Sequence, residues 1–306
     1  MKKFSQAVLI LILILVLALS GCGGGSGGGN NDGPGGGGGY TGVVFTMVDG
    51  PLQSYEIAQT EVTYELWYAV YTWAIDNGYN FANAGWKGSS NLGSDQQPVT
   101  TINWRDAMVW CNALTEYYAA KGGSNYKCVY YSDSAYTTPI RISTGDSISY
   151  PIPAGSQDAP YVKPDAKGFR LPTSDEWYQA ARYIDGTKTY PDHYASGADA
   201  AYDVTDKTGI IDYDGDGDVH LSSDVAIYDV SSTAAVKSKS PNKLGLYDMS
   251  GNVWELCFDW ETEGSLRVTR GGGYSYSANY LQLSYIDRIF PDGGDYTLGF
   301  RPVRTK

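Results

Sequence analysis

The densest run of chemically capable side chains is Asp212-Tyr213-Asp214-Gly215-Asp216-Gly217-Asp218-Val219. Carboxylates at positions 1, 3 and 5 of a loop, with Gly at position 6 for the sharp turn, suit a hard cation such as calcium. Position 12 of such a loop supplies a bidentate carboxylate, but here it is Ser223, and Asp224 comes one residue late. Calcium on Asp212, Asp214 and Asp216 is the expectation, and a solvated acidic turn is the alternative. The soft and redox-active side chains are few. His193 and His220 are the only two histidines, so no three-imidazole metal centre can be built. The four cysteines are Cys22, Cys111, Cys128 and Cys257. A Cys111–Cys128 disulfide and buried free thiols both remain open. The last chemically distinct stretch, 273–298, is dominated by Tyr, Ser, Asp and Gly.

Twenty-two basic against 34 acidic residues give a formal charge of -12 over 306 residues. This excludes a nucleic-acid binder, which needs a basic face to displace counterions. Lys2 and Lys3 precede an apolar run from Ala7 to Leu19. At about 13 residues the run is too short to span the bilayer, and it reads as a secretory signal. It ends in Leu19-Ser20-Gly21-Cys22, which resembles a bacterial lipobox. Residues 1–21 are therefore expected to be a lipoprotein signal peptide and Cys22 the lipidated residue. Residues 22–39 hold about a dozen of the 38 glycines and are expected to be a flexible tether. The expected location is a bacterial membrane reached through the lipid anchor only, the outer membrane with surface exposure, and a monomer.

The remaining chain, 40–306, reads as one α+β domain of low regular content. Gly42 to Met47 and Tyr55 to Ala58 predict opening strands. Leu66, Trp67, Val70 and Tyr71 form an apolar stripe at helical spacing after Thr63. Residues 76–97 are polar and predict a loop. Asn103 can cap a helix whose Trp104, Ala107, Met108, Cys111, Leu114 and Tyr118 share one face. Thr173 and Glu176 form a capping box in front of Trp177, Ala180 and Ala181. Segments 121–165 and 185–240 predict long irregular insertions.

Five blocks in order carry a resemblance. They are Glu61-Val62-Thr63; Pro98-Val99 through Trp104-Arg105-Asp106-Ala107 to Cys111-Asn112; Gly168-Phe169-Arg170-Leu171-Pro172-Thr173 with Glu176-Trp177 and Ala180-Ala181-Arg182; Gly245-Leu246-Tyr247-Asp248-Met249 with Gly251-Asn252-Val253-Trp254-Glu255; and Arg270-Gly271-Gly272 with Gly299-Phe300-Arg301. Together they resemble the formylglycine-generating enzyme, or sulfatase-modifying factor, family. The resemblance implies a C-type lectin-like fold with long ordered loops. It also implies calcium held by Asp248 and Glu255 carboxylates and by Gly251 and Val253 carbonyls. The family's other calcium site looks impaired, because Ala226 stands where an Asn ligand falls. The family oxidises a substrate Cys with a pair of copper-binding cysteines, whose positions fall here at Tyr276 and Leu281. Copper(I) needs thiolates, so no copper and no catalysis are expected. An oxidase of the sulfatase-modifying type and a glycan-binding module are the alternatives.

The segment 273–298 also resembles the variable proteins of diversity-generating retroelements, which share this fold and vary codons near the C-terminus by adenine mutagenesis. Asn codons changed at their two adenines never encode Lys, Glu, Met, Trp or Gln. From Tyr274 to Thr297 there is no Lys, Glu, Met or Trp, and Gln282 is the single Gln. Tyr offers a large amphipathic surface with few rotors, and Ser and Gly adapt around it. The expected ligand face is Ser275, Tyr276, Ser277, Tyr280, Tyr285, Asp287, Ile289, Phe290, Asp295, Tyr296 and Thr297. Leu281 and Leu283 are expected to pack inward, and Arg270, Arg288 and Arg301 to brace loops. The expected partner is a macromolecular ligand, a protein in the first place and a glycan in the second.

Overall fold

Strands β1 (Met47–Asp49) and β2 (Tyr55–Ala58) form an antiparallel pair at the start of the described chain. The computed structural model describes residues 46–51, 54–200 and 209–306. The expected signal peptide, the expected lipidation site Cys22, the expected tether and most of the strand expected from Gly42 lie outside the described residues. No helix among the described residues is long and apolar enough to cross a membrane.

Helix α1 (Tyr64–Asp76) starts where Thr63 Oγ1 accepts the Leu66 N–H at 3.2 Å, satisfying a donor the first turn leaves free. Leu66, Trp67 and Val70 are buried as the stripe predicts, with Ala74, while Tyr71 is half-buried. The loop expected at 76–97 contains one short strand, β3 (Trp86–Lys87), paired with β4 (Val99–Thr100). Helix α2 (Trp104–Ala120) has a reciprocal cap: Asn103 Oδ1 accepts from Asp106 N–H at 2.8 Å and Asp106 Oδ2 from Asn103 N–H at 3.1 Å.

The single apolar face expected for α2 is too narrow a reading. Arg105, Asp106, Asn112 and Thr115 are buried as well. The cause is the insertion at 121–165, which lies over the helix and hydrogen-bonds to its polar residues. Asn112 Nδ2 donates to the carbonyls of Tyr130 and Ile140 at 2.8 and 3.0 Å, and its Oδ1 accepts from Val129 N–H at 3.1 Å. Arg105 holds Asp158 through two bonds of 2.6 and 2.8 Å. The insertion is therefore an ordered layer, with one small antiparallel pair, β5 (Tyr130–Tyr131) and β6 (Tyr161–Val162).

Strand β7 (Phe169–Arg170) leads into α3 (Ser174–Arg182), whose capping box forms as predicted. Glu176 N–H donates to Thr173 Oγ1 at 3.1 Å and Thr173 N–H to Glu176 Oε2 at 2.9 Å. After a short α4 (Ser222–Val225) come β8 (Trp254–Thr262), β9 (Leu266–Arg270), β10 (Asp287–Ile289), β11 (Leu298–Gly299) and β12 (Val303–Thr305). One four-stranded sheet runs β1-β2-β12-β7, so the last strand closes on the first ones. The other runs β10-β9-β8-β11, with β11 parallel to β8 and the other pairs antiparallel. Trp67, Trp110, Trp254 and Phe300 centre the larger core, and Trp177, Leu246, Cys257 and Leu283 belong to a second. Few helices, short strands and long ordered loops make this the α+β, C-type lectin-like architecture that the sequence predicts.

Candidate ligand-binding face and cation sites

The chain leaves β9 at Arg270 and turns through glycines that no other residue could replace cheaply. Gly272 has φ +81°, and a Cβ there would stand 2.7 Å from the Tyr280 carbonyl oxygen. Arg270 then clamps the returning limb. Its Nη1 donates to the carbonyls of Leu283 and Tyr285 at 3.1 Å each, and its Nε and Nη2 donate to Ser174 Oγ at the start of α3. Ser250 Oγ donates to the Leu281 carbonyl at 3.0 Å. Leu281 and Leu283 are buried, as expected, and fasten the segment from below.

Between these anchors, exposure alternates along the chain. Ser275, Ser277 and Asn279, then Ser284, Ile286, Arg288 and Phe290, are exposed, and Tyr276, Tyr280, Tyr285, Asp287 and Ile289 between them are half-buried. The three tyrosines gather around the buried Trp254 with ring centroids 5.4, 6.2 and 5.8 Å from it. They also touch one another, at 5.1 Å for Tyr276–Tyr280 and 5.0 Å for Tyr280–Tyr285. Offset and edge-on rings at these distances attract beyond simple area burial. The aromatic cluster is a firm floor, and the small polar residues stand above it. Phe290 and Tyr296 are more than half exposed.

Of the expected ligand face, Ser275, Tyr276, Ser277, Tyr280, Tyr285, Asp287, Ile289, Phe290 and Tyr296 present surface on this stretch. Thr297 does not. It is buried, and its hydroxyl and N–H both donate to Asp295 Oδ1 at 2.7 Å. Asp295 is thus partly engaged in its own turn, whose carbonyl also accepts from Thr101 N–H at 3.0 Å. Asn279, Ser284 and Ile286 were missed. Alternation onward from the inward Leu283 signals Ser284 and Ile286, whereas Asn279 has the same parity as Leu281 and turns outward in a 3-10 turn, Ala278–Leu281, that alternation does not signal. Arg270 and Arg301 brace loops, and Arg288 reaches Glu261 at 3.1 Å on the surface.

At the two positions where related oxidases hold copper, the structure places the half-buried Tyr276 ring and the buried Leu281 alkyl chain. Neither offers the thiolate that copper(I) needs, so the residues present do not fit that ion. Cys111, Cys128 and Cys257 are buried free thiols, and Cys111 and Cys128 are not bridged. Burial pushes the Cys128 thiol up to about 12 and raises the other two as well.

The calcium set expected at the Gly-Asn-Val-Trp-Glu turn fits in part. Gly251, with φ +81°, makes the close approach to Ile227 that shapes the turn. Asp248 is buried, and its Oδ1 has no hydrogen-bond partner, as a free metal ligand would require. Burial raises its pKa to about 6. Glu255 differs. Its Oε2 accepts from Trp177 Nε1 and from Arg301 Nε, and its Oε1 accepts from Arg301 Nη2. An ion there would share Glu255 with a guanidinium. Val253 N–H donates to the buried Glu61, whose pKa is also raised, chiefly by burial and then by the neighbouring Asp248 and Glu255.

The acidic loop is the more open set. Carboxylate oxygens of Asp212, Asp214 and Asp216 lie within 4.8 Å of one another. Asp199, itself buried, pins both ends of the loop, accepting from Tyr213 N–H and His220 N–H at 2.8 Å each. Tyr190 OH donates to Asp214 at 2.9 Å, and His220 Nε2 lies 3.1 Å from Asp216. Asp224 does not close the loop. Its Oδ2 accepts from Leu221 N–H at the start of α4.

Residues 37–306 match the sulfatase-modifying factor enzyme 1-like domain. The chain belongs to that family. Among the members similar to it, chaperone protein LppX of Paenibacillus barcinonensis is 28% identical over 260 residues, 83% of this chain and 81% of that protein. The crystal structure of CarF is 30% identical with a TM-score of 0.60, covering 82% of this chain and 86% of that one. Treponema denticola variable protein 1 is 29% identical with a TM-score of 0.56, covering 82% and 84%. The sulfatase-modifying factor fold is thereby established for this chain, together with its likeness to a variable protein.

Proposed function

We propose that the protein is a lipid-anchored surface module that binds a macromolecular ligand, a protein in the first place, through its C-terminal face and without catalysis. The observation that carries this reading is the segment after Arg270. Where related oxidases hold a copper-binding pair, this chain presents small polar side chains over a Tyr276–Tyr280–Tyr285–Trp254 floor. A rigid aromatic support under adaptable Ser and Asn lowers the ordering cost of binding. The similarity to a variable protein across most of both chains supports diversification of this face. The chaperone name of the Paenibacillus relative fits a protein ligand. Cys22 would carry the lipid, and calcium on Asp212, Asp214 and Asp216 would stiffen a loop of the frame.

Sequencing this gene and its flanking DNA from many isolates tests the reading. Substitutions confined to codons of 275–296, beside a near-copy template and a reverse transcriptase gene, are expected. Variation spread evenly over 40–306 would sink it. Radiolabelled palmitate incorporation, lost on Cys22→Ser, tests the anchor.

A further inference from the structure

A cleft of about 350 Å³ opens beside the C-terminal face, lined by Ser147, Ile148 and Tyr150 on one wall and Phe290, Asp292 and Gly293 on the other. Tyr150 is 66% exposed and Phe290 54%. Two large rings left this open to water are costly unless something covers them. We propose that this cleft is the anchor point of the ligand, taking one large apolar side chain of a protein partner flanked by basic residues. The proposal rests on the reading of the C-terminal segment as a binding face and names the chemistry that face accepts.

Three observations favour this occupant. The size suits a single buried aromatic side chain, the kind of residue that dominates binding energy when it fills a pocket. The charge is one-sided. Asp292 lines the cleft, the exposed Asp146 adjoins Ser147, and no Lys or Arg is among the lining residues. Basic residues beside the inserted side chain are therefore the complementary neighbours. The chain leading into the wall at 147–150 is also held in place before any ligand arrives, at Thr144 and Asp146. Buried Arg105, fixed by Asp158, donates through Nη1 to the Thr144 carbonyl at 2.9 Å and to the Asp146 carbonyl. Gly293 N–H closes the opposite turn on the Phe290 carbonyl at 2.9 Å.

The two walls have different sequence origins. Tyr150 and Ile148 lie outside 273–298, so they stay constant while Phe290 and Asp292 lie inside the variable stretch. A constant apolar half would keep one anchor while the other half selects among partners.

The test uses the purified full chain and two short probes, acetyl-Lys-Trp-Lys-amide and acetyl-Glu-Trp-Glu-amide, followed by amide chemical shifts. The basic probe is expected to move the amides of 147–150 and of 290–293 together and to bind about tenfold tighter than the acidic one. Tyr150→Ala is expected to weaken it at least about tenfold. Ile148→Ser, a milder change on the same wall, keeps the test decisive if Tyr150→Ala does not fold. No shift on either wall, or equal binding of both probes, would overturn the cleft proposal. That outcome leaves the wider reading standing if codons of 275–296 still vary among isolates, so the two failures are separable.

Discussion

Arg301 and Glu255 meet through two hydrogen bonds of 2.6 Å with both side chains fully buried. The same guanidinium donates to the carbonyl of Ala58 at 3.1 Å and of Tyr247 at 2.8 Å. One side chain near the C-terminus thus joins the opening strand, the turn before the Gly-Asn-Val-Trp-Glu motif and the head of β8. This junction holds Trp254, and through it the tyrosine floor, in position.

Removing Glu255 leaves the Arg301 guanidinium buried without its hydrogen-bonded carboxylate, with only the charges of Glu61 and Asp248 acting on it. Glu255→Gln is expected to cost about 3–5 kcal/mol of folding stability. Urea unfolding at pH 7 in calcium-free buffer measures it. A loss below about 1 kcal/mol would show that desolvation of the two buried charges cancels their attraction, and that the pair does not stabilise the junction.

Glu176 gives a pH-dependent prediction. Burial alone would raise its pKa, but the hydrogen bonds and charge of Arg170, at 2.6 Å to each oxygen, outweigh burial and hold it below the ordinary value of 4.5. A depressed folded-state pKa means stability that is full above 4.5 and lost as pH falls through the folded value. Glu176→Gln is expected to destabilise by about 1–2 kcal/mol at pH 7 through the lost ion pair with Arg170, since Gln can still close the capping box. The gap to wild type should close as the pH drops below the glutamate range. A gap that stays constant from pH 7 to pH 3 would remove the linkage.

The Asn103 cap and the Thr173/Glu176 capping box form as read, because a cap is a contact between residues three apart, while the return bond that Asp106 accepts from Asn103 N–H is an addition by the structure. The five motif blocks were legible as a set, and the structure shows what links them. Glu61 accepts from Asn252 Nδ2 at 2.7 Å and from Val253 N–H, and Arg301 holds Glu255. What could not be read was contact with bare carbonyls. Asn112 holds the insertion at 121–165 through backbone groups, and Arg105 does so through backbone oxygens besides Asp158, and backbone groups carry no residue-type signature. Thr297 was misplaced for a related reason. Its composition matched a display loop, but its hydroxyl turns inward to Asp295. The half-buried state of the tyrosines depends on Trp254, 22 to 31 residues earlier, and no local pattern announces it.

Calcium binding separates the two cation sets. Titration calorimetry on wild type is expected to give a dissociation constant on the order of 10⁻⁴–10⁻³ M, the range of exposed extracellular sites. The double variant Asp212→Asn, Asp216→Asn should abolish that heat, whereas Asp248→Asn should leave it. Heat that survives the double variant and vanishes with Asp248→Asn would place the ion at the Gly-Asn-Val-Trp-Glu turn instead. No heat at about ten times the upper concentration would remove calcium from the reading.

The last prediction concerns tolerance along one stretch of chain. Ser275, Ser277 and Ser284 are exposed, and among the described residues no side-chain hydrogen bond ties them to the frame. Exposed positions without packed neighbours change stability by no more than about 0.5 kcal/mol when substituted. Replacing each with Tyr or Asp is therefore expected to leave the melting temperature within about 2 °C. Leu283 is fully buried against the second core. Leu283→Ala should cost about 2–5 kcal/mol through lost burial and the cavity it leaves. Positions 275 and 283 lie only a short way apart in sequence, so a large difference between them is a direct reading of which side chains the fold uses. Thermal unfolding of the four variants decides it. Comparable losses at the serines and at Leu283 would mean that this stretch is core, and a core cannot be diversified without losing the fold.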